Sequence, residues 1–391
     1  GTTRADCAVG PLVVMAHAVM RQRHGRAIGG TAAVAAWSVV VSAGITSAAI
    51  PEHSISGVSS GADMAVNHFV AFSSVASGAA VVAGAPYGCN IVEGDDDKCG
   101  SAPADTDWSK ILPRLAERLF ERASHNLIDP LRNLFHKRLY LFSGAQDWVV
   151  ARSVMEAVRW QFRTLVGDDG SYPGGAVAVD YNVNATHGWV VDGATCGPGA
   201  PGSPSSWCSP CCCAPSSLLM CEGHDMSGRL LYHLLRGKMG AMRTQADAPL
   251  IEVPQAPYVA QGRTLHDSGL WHTAYVYAPW KCRSQEMWCN VHVHYHGCVW
   301  GAEYTGTDLL MRLGLVEWAE AADMVFVFPQ ASSSLDKAGC WDWTGQSGEL
   351  FDTKYGAQLY AMGALLEDLP RILQMSGRNG SNSSALEALL V

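Results

Sequence analysis

The chain is short of charge. Only 16% of its residues are Asp, Glu, Lys or Arg, against 48% hydrophobic, and the formal net charge is −9. Beyond the segment Arg21-Gln22-Arg23-His24-Gly25-Arg26 no basic run occurs, so neither a nucleic acid nor an anionic membrane surface has an electrostatic footprint to meet. No internal repeat is present, which excludes solenoids and propellers. No Cys-x-x-Cys pair is accompanied by a matching second pair or a His pair, which leaves a structural zinc module without its ligand spacing. A Thr-rich linker or a shift in composition that would mark a separate polymer-binding module is missing as well. What is left is a chain able to bury a large core and to act on a neutral or weakly charged substrate.

The first region has its own character. From Met20 a basic stretch gives way to a run without charge from Ala27 to Pro51 that ends in Thr46-Ser47-Ala48-Ala49, the pattern of a secretory signal cleaved near Ala48 or Ala49. Its Gly, Ala and Ser content makes it a poor permanent span, so no stable membrane association is expected once it is removed. A retained anchor and a folded part of the domain are the alternatives. Residues 1–49 are therefore read as presequence and residues 50–391 as a single catalytic domain. The chain has 13 cysteines, and removal of Cys7 leaves an even number that can pair in an oxidising compartment. Sequons at Asn184, Asn379 and Asn382 fit the same secreted destination.

Beyond residue 50 strand-like and helix-like segments alternate. Gly78 to Pro86 is a continuous apolar run of strand length, Arg138 to Ser143 and Ala176 to Val183 read as strands, and helical periodicity covers 62–73, 111–120 and 150–165. Residues 196–221 interrupt this with Gly, Pro, Ser and six cysteines, a composition expected of a disulfide-stapled surface loop. A helix over 226–236 follows, residues 245–262 read as a linker or loop, and 273–278, 290–295 and 324–329 are three further strands before a long helix over 357–373. The expected architecture is an α/β fold, a mostly parallel sheet with helices on both faces.

Ser54-Ile55-Ser56-Gly57-Val58-Ser59-Ser60-Gly61 places Ser59 at the centre of a Gly-x-Ser-x-Gly pattern between a short strand and a helix-compatible run. A serine on such a tight turn is pushed clear of the backbone, and the helix N-terminus behind it favours developing negative charge. A serine hydrolase then needs an acid and a histidine at later strand ends. Asp147 lies in the loop after 139–143 and His187 just past 176–183, both at carboxyl ends of strands, where ligands and catalytic groups collect in open α/β sheets. Asp192 and Asp180 rival Asp147 by proximity to His187, although Asp180 lies within a strand and is poorly aimed. The oxyanion hole needs the amide after the nucleophile, that of Ser60, and a second from a loop carrying His-Gly. His296-Gly297-Cys298 supplies that loop after the strand 290–295, more than two hundred residues later than the usual chain order places it. Moving residues 263–391 in front of residue 50 restores the order, so a circularly permuted α/β-hydrolase is expected.

Four segments together carry a resemblance: Gly57-Val58-Ser59-Ser60-Gly61-Ala62-Asp63-Met64-Ala65, Ala83-Gly84-Ala85-Pro86-Tyr87-Gly88-Cys89, His292-Val293-His294-Tyr295-His296-Gly297-Cys298 and Gly339-Cys340-Trp341-Asp342-Trp343. In this order they resemble the secreted poly(3-hydroxybutyrate) depolymerases, above all the circularly permuted, single-domain fungal type, from about Ile50 to about Leu373. The resemblance implies a Ser59, Asp147 and His187 triad, an oxyanion hole of the Ser60 and Cys298 amides, and Trp341 lining the polyester cleft. It also implies the pairings Cys89 with Cys99, Cys282 with Cys289, and Cys298 with Cys340, a polyester or oligoester substrate, and no cofactor. Gly188 to Asp192 and the six-cysteine stretch depart from the family pattern.

Other readings attach to particular residues. His292, His294 and His296 share one face of a strand, which invites a metal-dependent hydrolase. No further His and carboxylate strand ends complete such a site, so no metal is expected; His296 is assigned to the oxyanion loop and the other two to packing or hydrogen bonding. The 13 tryptophans also allow a non-catalytic polymer-binding protein on a hydrolase scaffold. Within serine esterases, acetylated or feruloylated plant polymers and small esters are the alternative substrates. The sequence carries no sign of the oligomeric state.

Overall fold

Strands form where apolar runs can be covered on both sides. In chain order they are β1 (His53–Val58), β2 (Ala76–Val82), β3 (Arg138–Phe142), β4 (Val177–Asp180), β5 (Trp189–Val191), β6 (Ser209–Pro210), β7 (Leu218–Met220), β8 (Ile251–Pro254), β9 (Thr273–Tyr277), β10 (Asn290–Tyr295) and β11 (Met324–Phe328). The longer helices are α1 (Ser60–Ala71), α2 (Trp108–Ser124), α3 (Arg152–Arg163), α4 (Met226–Leu234) and α5 (Ala357–Glu387). They belong to a computed structural model that describes residues 50–93, 99–102, 106–168, 175–192, 209–210, 218–221, 223–240, 242–283 and 289–387. The expected presequence 1–49, the acidic run 95–97 and most of the cysteine-rich stretch 196–221 lie outside the described residues, as do the side chains of Asn379 and Asn382. Residues 47–391 make one compact unit. Among the described residues no helix is long and apolar enough to cross a membrane.

The main sheet has eight strands in the order β4-β3-β2-β1-β10-β11-β9-β8. From β4 to β11 every pairing is parallel; β9 runs antiparallel to β11, and β8 antiparallel to β9. The elbow strand β1 lies in register beside β10, with Gly57 opposite Tyr295. The His-Gly loop thus leaves the sheet beside Ser59, although 238 residues of chain separate Ser60 from Cys298.

Alternation along the strands sorts the core into two layers. Ala80, Val82, Tyr140, Phe142, Phe326 and Phe328 face a cluster that includes Leu230 and Leu231 of α4 and Leu309, Leu313 and Trp318. On the other face α1 covers β1, β2 and β10, and Phe69 of α1 packs on Phe162 of α3 at 5.9 Å. Helices therefore lie on both faces of a mostly parallel sheet, as expected for this fold class.

Three segments differ from the sequence expectation. Residues 251–254, expected as linker, form the edge strand β8: Ile251 opposes Val276 and Pro254 opposes Thr273. Four residues ending in proline are too few to show a period, and an edge is where a sheet tolerates proline. The stretch after His187 carries β5, which joins β6 and β7 in a separate three-stranded sheet. Helix α5 runs to Glu387, well past residue 373 and through Pro370.

Candidate active site

Ser59 sits between the last residue of β1 and the first of α1 with φ 57° and ψ −129°, a backbone region costly for a side-chain-bearing residue and typical of a nucleophile held on a strained turn. The two flanking glycines are obligatory on steric grounds. A Cβ on Gly57 would meet the Gly61 carbonyl oxygen at 1.9 Å, and one on Gly61 would meet the carbonyl oxygens of Tyr295 and His296, each at 2.3 Å. The turn is anchored by the Ser59 amide donating to Val82 O at 3.0 Å, and the next strand end is tied in by Asp63 Oδ1, which accepts the Ala85 amide at 2.5 Å.

Asp147 and His187 occupy the ends of β3 and β4 on the same edge of the sheet. His187 Nδ1 donates to Asp147 Oδ2 at 2.9 Å, the carboxylate being 1% and the imidazole 17% exposed. Asp147 Oδ1 in turn accepts the amides of Val149 and Val150, both at 2.9 Å. The rival aspartates are engaged elsewhere: Asp192 pairs with Arg243 at 2.9 Å, and Asp180 accepts from Tyr140 at 3.0 Å and meets His224 at 3.3 Å. Ser59 Oγ makes no hydrogen bond to His187 among the described residues; nucleophile–base contacts of this kind commonly tighten only around substrate.

The His296-Gly297-Cys298 loop meets the elbow directly. A Cβ on Gly297 would stand 3.5 Å from Ser59 Cβ. Among the described residues neither the Ser60 nor the Cys298 amide donates to a protein acceptor, which leaves two N–H groups beside the serine for an oxyanion. His296 holds the loop: Nδ1 donates to Gly297 O at 2.7 Å and Nε2 accepts the Ala331 amide at 3.1 Å. Burial pushes His296 down to about 4, so it acts as a neutral strut.

The other strand histidines are likewise engaged. His292 Nδ1 and Nε2 meet Ser54 and Ser56, each at 2.7 Å, and His294 Nδ1 meets Ser56 at 2.8 Å. Burial holds both imidazoles neutral, His292 down to about 3. Among the described residues no group of three His, Cys, Asp or Glu side chains is disposed to hold a metal ion.

Against known proteins, no protein-family model matches the chain. It is 30% identical over 322 residues to a poly(3-hydroxybutyrate) depolymerase of Delftia acidovorans, covering 80% of this chain and 58% of that protein. Over 323 residues it is 25% identical to a polyhydroxybutyrate depolymerase of Talaromyces funiculosus, covering 79% of this chain and 86% of that one. The chain is a homologue of the poly(3-hydroxybutyrate) depolymerases. Its fold agrees: two solved structures, a PHB depolymerase from Penicillium funiculosum and a PHB depolymerase complexed with R3HB trimer, superpose at TM-score 0.67 and 23% identity, covering 83% of this chain and 97% of theirs. The chain spans little more than half the length of the Delftia depolymerase.

The disulfides implied by the resemblance to these depolymerases are present: Cys89–Cys99, Cys282–Cys289 and Cys298–Cys340. Cys221 is also in a disulfide. Trp341 is placed differently from expectation, because it is fully buried. Its ring packs edge-on to Tyr295 at 4.9 Å and against His296 at 5.3 Å, so it backs the His296-Gly297-Cys298 loop instead of facing open solvent. The half-buried tryptophan of the same segment is Trp343, which walls a small hollow with Asp63, Pro86 and Phe351. Sequence reading also missed His53 and His68, a buried pair joined Nε2 to Nε2 at 2.9 Å; nothing in a local window brings residues of β1 and α1 together.

Proposed function

We propose that the protein is a secreted serine esterase that hydrolyses poly(3-hydroxybutyrate) or related polyhydroxyalkanoate and oligoester bonds. The observation that carries the reading is the half-buried His187–Asp147 pair on the sheet edge where the strained Ser59 turn and two unengaged amides stand. Ser59 Oγ attacks the ester carbonyl while His187 Nε2 takes its proton, and Asp147 holds the imidazole with its proton on Nδ1 and stabilises the imidazolium. The Ser60 and Cys298 amides receive the oxyanion. His187 then gives its proton to the leaving alcohol, and a water activated by the same nitrogen cleaves the acyl-enzyme.

The names of the relatives support a polyester substrate. In the sheet β10 stands beside β1 although it comes much later in the chain, which supports reading residues 50–391 as one catalytic domain of circularly permuted order. Disulfides are built for an oxidising compartment, and with the basic-then-apolar presequence they support secretion. Trp341 is assigned to the back wall of the cleft, behind the oxyanion loop.

The test is release of soluble 3-hydroxybutyrate products from amorphous poly(3-hydroxybutyrate) by purified protein, with Ser59→Ala alongside. Release by the wild type and none by the variant is expected. Turnover retained by Ser59→Ala would overturn the serine mechanism, and cleavage confined to short p-nitrophenyl esters would move the substrate to other esters.

A further inference from the structure

The two unengaged amides beside Ser59 come from segments 238 residues apart in the chain, and an oxyanion hole works only if the distance between them is fixed before the reaction begins. The amide of Ser60 is fixed by the turn into α1. That of Cys298 lies on a loop half-exposed at its tip, and the Ser60 side chain is one tie between this loop and the head of α1. The Ser60 hydroxyl is buried, 5% exposed as a residue. Its oxygen accepts the Trp341 amide at 3.3 Å. It also stands 3.3 Å from Cys298 Sγ, a disulfide sulfur without a proton, so the hydroxyl proton is directed at sulfur. Cys298 is bonded to Cys340, the residue before Trp341. The hydroxyl therefore touches both sides of the same bridge.

We infer that the Ser60 hydroxyl is a positioning residue for the oxyanion hole: it clamps the Cys298–Cys340 bridge to the head of α1 and so holds the Cys298 amide at a set distance from the Ser60 amide. This rests on the esterase reading above and goes one step further. Ser60 serves the site twice, its amide as a donor and its side chain as the spacer that places the other donor. Without the hydroxyl the Trp341 amide loses a buried acceptor and the bridge loses its contact with α1. The loop carrying Cys298 is then free to drift by fractions of an ångström, enough to weaken a hydrogen bond formed only in the transition state. Substrate ground-state binding, which does not use the oxyanion donors in full, is left nearly as it was.

The test compares Ser60→Thr with Ser60→Val, which match in shape and differ in the hydroxyl, next to Ser60→Ala, on a soluble short-chain p-nitrophenyl ester. With the hydroxyl removed, kcat is expected to fall about tenfold with KM within twofold, and Ser60→Thr is expected to keep more of the wild-type kcat than Ser60→Val. The affinity of butylboronic acid, a tetrahedral mimic formed on Ser59, should weaken in step with kcat/KM, a readout that loosening elsewhere in the fold would not move. Equal kcat and equal boronate affinity in Ser60→Thr and Ser60→Val, with Ser59→Ala inactive, would overturn the positioning role alone. Turnover in Ser59→Ala would overturn the esterase reading on which it rests.

Discussion

The carboxylate of Asp147 is committed on both oxygens: Oδ2 receives His187 Nδ1–H at 2.9 Å, while Oδ1 receives the amides of Val149 and Val150, each at 2.9 Å. The two backbone donors fix the carboxylate plane, and the plane fixes the imidazole. This decides what an amide in the same place would do. In Asp147→Asn the side-chain oxygen stays with the two amides, so the NH2 group turns toward His187 Nδ1 and forces the ring proton onto Nε2, where a proton acceptor is needed. We expect kcat to fall by roughly 10³ to 10⁴ with little change in melting temperature, whereas Asp192→Asn, which weakens the ion pair with Arg243 away from His187, should stay within about threefold of wild type. Kinetics on a soluble ester decide it. An Asp147→Asn enzyme within tenfold of wild type would remove Asp147 from the site.

Much of this site is readable from the chain because each group follows an apolar run long enough to be recognised as a strand. Ser59, Asp147 and His187 each stand just beyond such a run, and in parallel strands those ends share one edge. The parts that escape sequence reading depend on contacts between distant segments. The edge strand β8 is four residues long and takes its identity from pairing with β9. The Ser60 hydroxyl looks like one more serine in a Gly-x-Ser-x-Gly turn until a bridge 238 residues away is laid against it. Trp341 lines a cleft in what the resemblance implies, and only packing by Tyr295 and His296 puts it inside.

Acid should destabilise the fold through its buried histidines. His53 Nδ1 donates to Pro51 O at 2.7 Å, so its Nε2 must accept from His68 Nε2–H at 2.9 Å, and His68 Nδ1 must accept from the Tyr295 hydroxyl at 2.6 Å. An added proton would set two N–H groups head to head. Burial, with Lys137 adding slightly, pushes His53 down to about 4, and burial takes His292 to about 3 and His296 to about 4. In the unfolded chain these groups titrate near 6.5. Between the two values the unfolded state binds more protons, so stability is complete above pH 6.5 and declines as the pH falls toward 4, by about 1.4 kcal/mol per pH unit for each histidine. Urea unfolding midpoints measured from pH 7.5 to 4.5, above the range of most carboxylates, should hold nearly level down to about pH 6.5 and drop below it, and His53→Gln should shallow that slope by about one proton. A midpoint constant across that interval would refute the mechanism.

The flanking glycines of the elbow should separate two kinds of damage. A methyl on Gly57 meets the carbonyl of Gly61 within the turn itself, whereas a methyl on Gly61 meets the carbonyls of Tyr295 and His296 on the neighbouring strand. Gly57→Ala must therefore open the Ser59 turn, displacing the nucleophile, while Gly61→Ala must push α1 away from β10, widening the gap between the Ser60 and Cys298 amides. Both contacts are with backbone, which cannot rotate aside, so a cost of about 1–3 kcal/mol in stability is expected for each. The kinetic signatures should differ. Gly57→Ala should lose reaction with a serine-directed phosphonate at least a hundredfold through misplacement of Oγ. Gly61→Ala should bind short esters with a near-normal KM and lose kcat by about ten- to a hundredfold through the oxyanion donors. Thermal unfolding, phosphonate labelling and ester kinetics on the two variants check this, and near-wild-type kcat in Gly61→Ala would mean that β10 yields to the methyl without moving the amide of Cys298.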